Sequence, residues 1–268
     1  MKYTKFFSLL LSGLLLGALL TVSSCKDDEA KPAPTVTLSA STFSGKIGDT
    51  ASVTATIVAP EGLKELRITK YLGTTVDATY GTNGTKTVSH ESHTEDYILA
   101  EEGLTTPVRF NFTAEDNKGQ TGTADLVITT EPSVKYLLTK FNWQWKSKVG
   151  KVLASDPEAE LIVDCEKDNL FIFNADGTYS IDFGALTGSG GGTCDFDALV
   201  VTHNWFLSAD ESTLTLTASN IFDPTEKEEV YNITEATSTS IKSTSTVDLT
   251  GLGGIVWDWK FEWTAKPK

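Results

Sequence analysis

The sequence predicts an all-β protein in two parts, an antiparallel sandwich followed by an eight-stranded antiparallel barrel of up-and-down type. Three observations carry this. Apolar and polar residues alternate with period two in short runs along most of the chain. Threonine, valine and glycine are abundant, with 21 glycines and a single methionine, a composition suited to turn-rich β structure. No stretch sustains the 3.6-residue periodicity of an amphipathic helix.

The first part runs from residue 35 to residue 131. Val36, Leu38 and Ala40 share one face, and Val53, Ala55 and Ile57 follow after a turn region between Gly45 and Gly48. Leu66 and Ile68 come next, then Val108, Phe110, Phe112 and Ala114. The hairpin Asp116-Asn117-Lys118-Gly119 leads into Ala124, Leu126 and Ile128. About seven short segments over such a span read as two packed sheets.

Glu131-Pro132-Ser133 marks a boundary, and aromatic content rises beyond it. The second part, residues 136–268, opens with Phe141, Trp143 and Trp145 on one face. Phe171 and Phe173 precede Asn174-Ala175-Asp176-Gly177, a hairpin whose glycine suits a left-handed position. Tyr179, Ile181 and Phe183 continue the inward face. Further strands carry Val201, Trp205 and Leu207, then Leu214 and Leu216, Tyr231 and Ile233, and Ile241 onward. The chain closes with Ile255, Trp257, Trp259, Phe261 and Trp263 on one face and Asp258, Lys260 and Glu262 on the other. About eight strands suit a closed barrel, with the first aromatic strand pairing the last.

The N-terminus has a different logic. Lys2 and Lys5 precede an apolar run from Phe6 to Leu20, which ends in Val22-Ser23-Ser24-Cys25. Roughly fifteen residues match a signal-peptide core and fall short of the ~20 that span a bilayer as a helix. The segment resembles the lipobox of bacterial lipoproteins. That resemblance implies a signal peptide over residues 1–24, lipid on Cys25 and a tether over residues 25–34, so that the membrane is a partner through the anchor. Lys26-Asp27-Asp28-Glu29 is similar to the export signal that sends Bacteroidota lipoproteins to the outer face of the outer membrane. It implies an outer-membrane, cell-surface location.

The formal charge is −14, and loss of Lys2 and Lys5 with the signal leaves 20 basic against 36 acidic side chains. A nucleic-acid partner is excluded by this balance, because no basic patch offsets it. With Cys25 committed to lipid, Cys165 and Cys194 remain, and two cysteines in an oxidising compartment are expected to pair.

Two further resemblances follow from particular motifs. Phe112 to Gly119 resembles the last hairpin of the immunoglobulin-like modules in Bacteroidota surface lipoproteins, where such modules act as spacers. Asp164-Cys165-Glu166-Lys167-Asp168-Asn169, Phe171-x-Phe173-Asn174-x-Asp176-Gly177-Thr178-Tyr179, Cys194, Trp205-x-Leu207-Ser208 and Leu214-Thr215-Leu216-Thr217 together resemble the lipocalin-like domain of the same lipoproteins. The first resemblance implies an immunoglobulin-like sandwich, the second a lipocalin-like barrel; neither implies a ligand.

No catalytic centre, metal site or cofactor is expected. His90-Glu91-Ser92-His93 with Glu95 and Asp96 reads as an exposed loop, and His203 as a satisfied barrel or rim histidine. The run Gly188 to Gly192 lacks the lysine and helix of a phosphate loop. Glu115, Asp116 and Asn117 read as turn residues rather than as a calcium site. Most of the aromatic stripe reads as core, with Trp143, Trp205 and Trp257 as the members placed to face a ligand. The expectation is therefore a non-enzymatic surface lipoprotein that binds an extracellular ligand, a glycan by family context. The alternatives are a scaffold in an outer-membrane protein complex and a carrier of hydrophobic ligands. Cavity size discriminates among them.

Overall fold

The computed structural model describes residues 31–184 and 199–268, so the signal segment, Cys25, Cys194 and Gly188 to Gly192 lie outside the described residues. The fold is all-β, a sandwich followed by a nearly closed eight-stranded antiparallel barrel.

Nine strands build the first part: β1 (Thr35–Leu38), β2 (Thr42–Lys46), β3 (Thr50–Val58), β4 (Leu63–Leu72), β5 (Thr75–Val76), β6 (Thr85–Val88), β7 (Ser92–Ile98), β8 (Val108–Asp116) and β9 (Thr121–Glu131). One sheet has the order β1-β3-β7; the other runs β2-β9-β8-β4-β5, with β6 also on β4. The period-two pattern turns Ala51, Val53, Ala55 and Ile57 inward from the first sheet. Leu66, Ile68, Phe110, Phe112, Leu126 and Ile128 meet them from the second, all buried. Each of the large side chains contributes about 1.5–3 kcal/mol by leaving water.

The predicted exposed loop around His90 is corrected here. Only its start is loop, since β7 begins at Ser92 and pairs β3 through Thr56↔Ser92 and Ala55↔His93. Alternation on β7 turns Glu95 inward, where it is buried, 2.6 Å from Lys86 and 3.2 Å from His93. A carboxylate at a core position hid the strand from the apolar pattern. The Asp116 turn is as expected: its buried carboxylate accepts from the N–H groups of Lys118 at 2.9 Å and Gln120 at 2.8 Å.

The second part begins with an unexpected helix, α1 (Val134–Lys140). At seven residues it is too short to declare a periodicity. Then come β10 (Asn142–Gly150), β11 (Ala159–Glu160), β12 (Leu170–Phe173), β13 (Tyr179–Asp182), β14 (Val200–Leu207), β15 (Thr213–Asn220), β16 (Asp223–Ala236), β17 (Ser240–Asp248) and β18 (Val256–Lys266). The barrel order is β13-β12-β10-β18-β17-β16-β15-β14, with β11 a short addition on β10. The first aromatic strand pairs the last through Trp143↔Ala265 and Trp145↔Trp263. Among the described residues, closure between β13 and β14 rests on one bridge, Thr178↔Asn204, and on Trp205 N–H donating to Gly177 C=O at 2.8 Å.

A bulge alters one predicted face. The β14–β15 register shifts between Thr202 and Trp205, so two residues oppose Thr217 and the side-chain alternation resets. Val201 pairs Ser219 on the outer face instead of sharing the face of Trp205. His203 also faces out, with a ring nitrogen 2.8 Å from the Ser219 hydroxyl.

The two ends of the barrel differ. At one end lie α1, the hairpins after β12, β14 and β16, and the C-terminus. Val134, Leu137 and Leu138 of α1 pack into the same core as Trp143, Phe173, Trp205, Leu214, Ile241 and Trp263. This end is closed, and it faces the sandwich. Glu211, in the β14–β15 hairpin, accepts from Val134 N–H at 2.9 Å and Lys135 N–H at 3.1 Å, and lies 3.2 Å from Lys46 Nζ at the end of β2. The Ser133 hydroxyl accepts from Tyr136 N–H and the Ser133 carbonyl from Leu137 N–H. The free donors of Val134, Lys135 and Tyr136 at the helix start are thereby satisfied, and Leu137 N–H makes the first intrahelical bond. Lys140 reaches Glu101 of the sandwich at 2.6 Å.

The opposite end, where β10, β13, β15 and β17 finish, points away from the sandwich. Thr35 enters the sandwich at its own far end, since Thr35 pairs Val58 while the β2–β3 turn touches Glu131 beside α1. The order along the molecule is chain entry, sandwich, closed barrel end, open barrel end.

Candidate functional site at the open end of the barrel

Halfway up the barrel a layer of rings forms a floor. Trp145 contacts Phe171, Phe261 and Trp263 with ring centroids 5.0, 5.5 and 5.7 Å away. Tyr231 packs edge-on against Phe261 at 5.1 Å and Trp263 at 5.2 Å. The contacts of Trp263 with Trp145 and of Tyr231 with both its neighbours are the edge-to-face geometries that aromatic quadrupoles favour, whereas Trp145 is tilted against Phe171 and Phe261. Below the floor the interior is filled.

Above it the inner wall changes chemistry. A register shift in β10 between Trp145 and Ser147 sets Lys148 opposite the inward Phe261. Its ammonium lies 2.6 Å from both Glu166 carboxylate oxygens, and 5.3 and 5.9 Å from the Trp145 and Trp259 ring centres. Glu166 belongs to the 3-10 turn Asp164–Glu166 and also accepts from Val163 N–H at 3.1 Å. Lys148 is thus held by one carboxylate and two aromatic faces.

β16 supplies the facing wall. Leu216↔Glu229 and Leu214↔Tyr231 are direct pairs, and both leucines are buried, so Glu229 and Tyr231 point inward. Glu229 is reachable by water yet enclosed by protein on several sides, and this desolvation pushes its carboxyl above the usual range. The Tyr231 ring is fully buried, and its hydroxyl lies beside the Glu229 carboxyl. Burial first, and the nearby Glu229 charge second, hold the phenol protonated far above its ordinary value. Tyr179 behaves likewise, chiefly through burial. A 240 Å³ pocket opens beside this group, lined by Tyr179, Leu216, Ala218, Lys227 and Glu229 among others.

Trp259 and Trp257 complete the rim. Trp259 lies over Gly150, where a Cβ atom would come within 2.5 Å of its ring, and its indole N–H donates to Lys151 C=O at 3.2 Å. Lys151 Nζ sits 4.6 Å from the centre of the Trp257 ring. The open end therefore sets Glu229 beside accessible space, with the Trp257 and Trp259 faces and the Lys148–Glu166 pair elsewhere on its wall.

The sequence-selected aromatics divide. Trp143 has no exposed surface and donates its indole N–H to Leu137 C=O at 3.2 Å; Trp205 is 5% exposed and donates to Asn174 C=O at 3.0 Å. Both belong to the closed end and present nothing to a ligand entering from the open one, though Trp205 lines a 470 Å³ cleft outside the closed end with Lys135, Asp176, Gly177 and Glu211. Trp257 alone of the three stands at that rim. Strand parity identifies inward residues but not which end of a barrel is filled. The residues that reasoning missed are Lys148, Glu166, Glu229 and Tyr231. Of these, Lys148 is displaced onto the inner face by a bulge, and Glu229 sits in a Glu-Lys-Glu-Glu run with no apolar alternation. Cys165 lies in the turn that carries Glu166, and its predicted partner Cys194 is outside the described residues.

No family model and no curated protein matches this chain. Among solved structures, the sporulation control protein Spo0M from Bacillus subtilis is similar at 7% identity with a TM-score of 0.25, covering 84% of this chain and 83% of that one. A likeness at this level carries no argument about fold or function.

Proposed function

We propose that this protein is a lipid-anchored surface lipoprotein of the outer membrane that captures an extracellular glycan non-covalently at the open end of its barrel. One observation carries the choice of ligand. Above the aromatic floor the barrel presents the partly exposed Trp257 and Trp259 together with the Lys148–Glu166 pair and Glu229. Sugars match this mixture, with apolar ring faces to stack and hydroxyl groups to exchange hydrogen bonds. A hydrophobic ligand would leave Glu229 unpaired at a cost of about 1–3 kcal/mol. The Cys25 anchor fits the same picture. It would place the open end at the extreme farthest from the membrane, with the sandwich as spacer.

The reading is non-catalytic. Its test is affinity electrophoresis of the chain from Lys26 onward through gels containing a panel of polysaccharides. We expect retardation by at least one glycan, lost in Trp259→Ala and weakened in Glu229→Gln, with Phe206→Ala on the outer wall unaffected. No retardation across a broad panel overturns the reading. The scaffold alternative then leads, supported by Ile221 and Phe222 at a hairpin tip, the latter 80% exposed. The Cys165–Cys194 disulfide is part of the proposal and is checked by the mass of non-reduced proteolytic fragments.

A further inference from the structure

The barrel wall is split along one seam. β16 and β17 pair from Ala236↔Ile241 as far as Asn232↔Thr244, and no further. Yet both strands continue, because β16 stays on β15 out to Asn220↔Asp223 and β17 stays on β18 out to Asp248↔Val256. Above Asn232 the two half-strands therefore face one another without bonding, across a cleft of 470 Å³.

Hydrogen-bond parity shows what points into it. Along a strand, the N–H and C=O of successive residues turn to opposite sides. Ile233 N–H donates to Ser212 C=O, on the β15 side, and Leu249 N–H donates to Ile255 C=O, on the β18 side. By alternation, the backbone groups of Glu228 and Val230 on β16, and of Thr246 and Asp248 on β17, are directed at the cleft. Among the described residues these are two free edges that face one another within one barrel. Open edges of this kind are templates for pairing with another chain. The side chains add a charge preference. Glu228, Glu229 and Asp248 line the cleft, no basic side chain lines it, and Glu228 and Glu229 form no ion pair among the described residues.

We propose that this seam is a binding site for an extended basic peptide, which adds as a strand between β16 and β17. Main-chain bonds to both edges supply affinity, and lysine or arginine side chains beside Glu228 and Asp248 supply selectivity. The site differs from the glycan site in its ligand and in its dependence on backbone donors.

The probe is a fluorescein-labelled octapeptide of alternating lysine and valine, titrated by anisotropy against the chain from Lys26 onward. Its control is the same sequence N-methylated at alternate residues, which removes donors on one edge and keeps the charge. We expect saturable binding, weakened about tenfold or more by N-methylation, as the loss of two ordinary hydrogen bonds implies. Amide exchange at Glu228, Val230, Thr246 and Asp248 should slow when peptide is added. Glu228→Gln should weaken binding without disturbing the edges, and glycan retardation should persist. Equal affinity for the two peptides overturns the proposal, as that would mean charge attraction alone. Absence of binding at millimolar peptide, or protection confined to other strands, also overturns it.

Discussion

Replacement of Glu211 tests how the closed end is held together. Its carboxylate takes two backbone N–H groups of α1 and one ammonium from the sandwich, and its side chain is 17% exposed. A hydrogen bond to a charged group is worth about 1.5–3 kcal/mol, less where water replaces the lost partner. Two such bonds at a partly wetted helix start give a cost of about 2 kcal/mol for Glu211→Ala. The ion pair to the exposed Lys46 adds less than about 1 kcal/mol, so Lys46→Ala should be mild. Backbone strain supplies an internal control. Glu211 sits at φ 59°, in the left-handed region, which costs a side-chain-bearing residue about 1 kcal/mol and glycine almost nothing. Glu211→Gly should therefore be about 1 kcal/mol less destabilising than Glu211→Ala. The assay is urea unfolding followed by tryptophan fluorescence. All six tryptophans lie between residues 143 and 263, so the signal reports the barrel alone. A 2 kcal/mol loss corresponds to roughly 4–8 °C in melting temperature. If alanine and glycine variants prove equal, or both match the parent within about 0.5 kcal/mol, the capping argument fails.

Three further outcomes follow from the same contacts. Glu229 has a carboxyl raised above 4.5 in the folded state, so its contribution to stability is full below that value and is lost as pH rises through the folded pKa. Glu229→Gln should melt higher than the parent at pH 7, with the gap shrinking toward pH 4; a constant gap refutes this. Asp77 runs the other way, since its bond to Lys70 lowers its carboxyl from 3.8 to about 2. Its stabilisation is present above pH 3.8 and is lost as pH falls toward 2, so Asp77→Asn should flatten sandwich stability over that interval, read by circular dichroism on acid titration. Gly150→Val should displace Trp259 and abolish glycan retardation while Trp143 stays packed; unchanged retardation would remove Trp259 from the site.

Where a strand buries one face and keeps strict parity, its residues declare it. Val53, Ala55 and Ile57, or Trp259, Phe261 and Trp263, could be read inward without coordinates because each lies on an unbroken ladder. Three physical effects defeated the same reasoning elsewhere. Buried charges such as Glu95 interrupt the pattern at positions that are structurally core. Bulges at His203 and at Lys146 reset the alternation after the point where sequence parity was set. Long-range capping, as by Glu211 on α1 across 77 residues, has no local signature at all.

The contrast between the barrel ends has an energetic logic that links these observations. A wall that stops pairing halfway and a carboxyl kept partly desolvated both cost stability, and both lie above the aromatic floor. At or below it lie the indole bonds of Trp143 and Trp205, the α1 plug and the Glu211 cap. Polar groups left unsatisfied in an otherwise packed molecule are the usual mark of a surface selected for contact rather than for folding. Local opening should accordingly be graded along the barrel, with the amides of β16 beyond Asn232 exchanging fastest and those opposite Trp143 slowest. A uniform exchange rate along β16 would mean that the two halves unfold as one unit, and that the open end is no looser than its base.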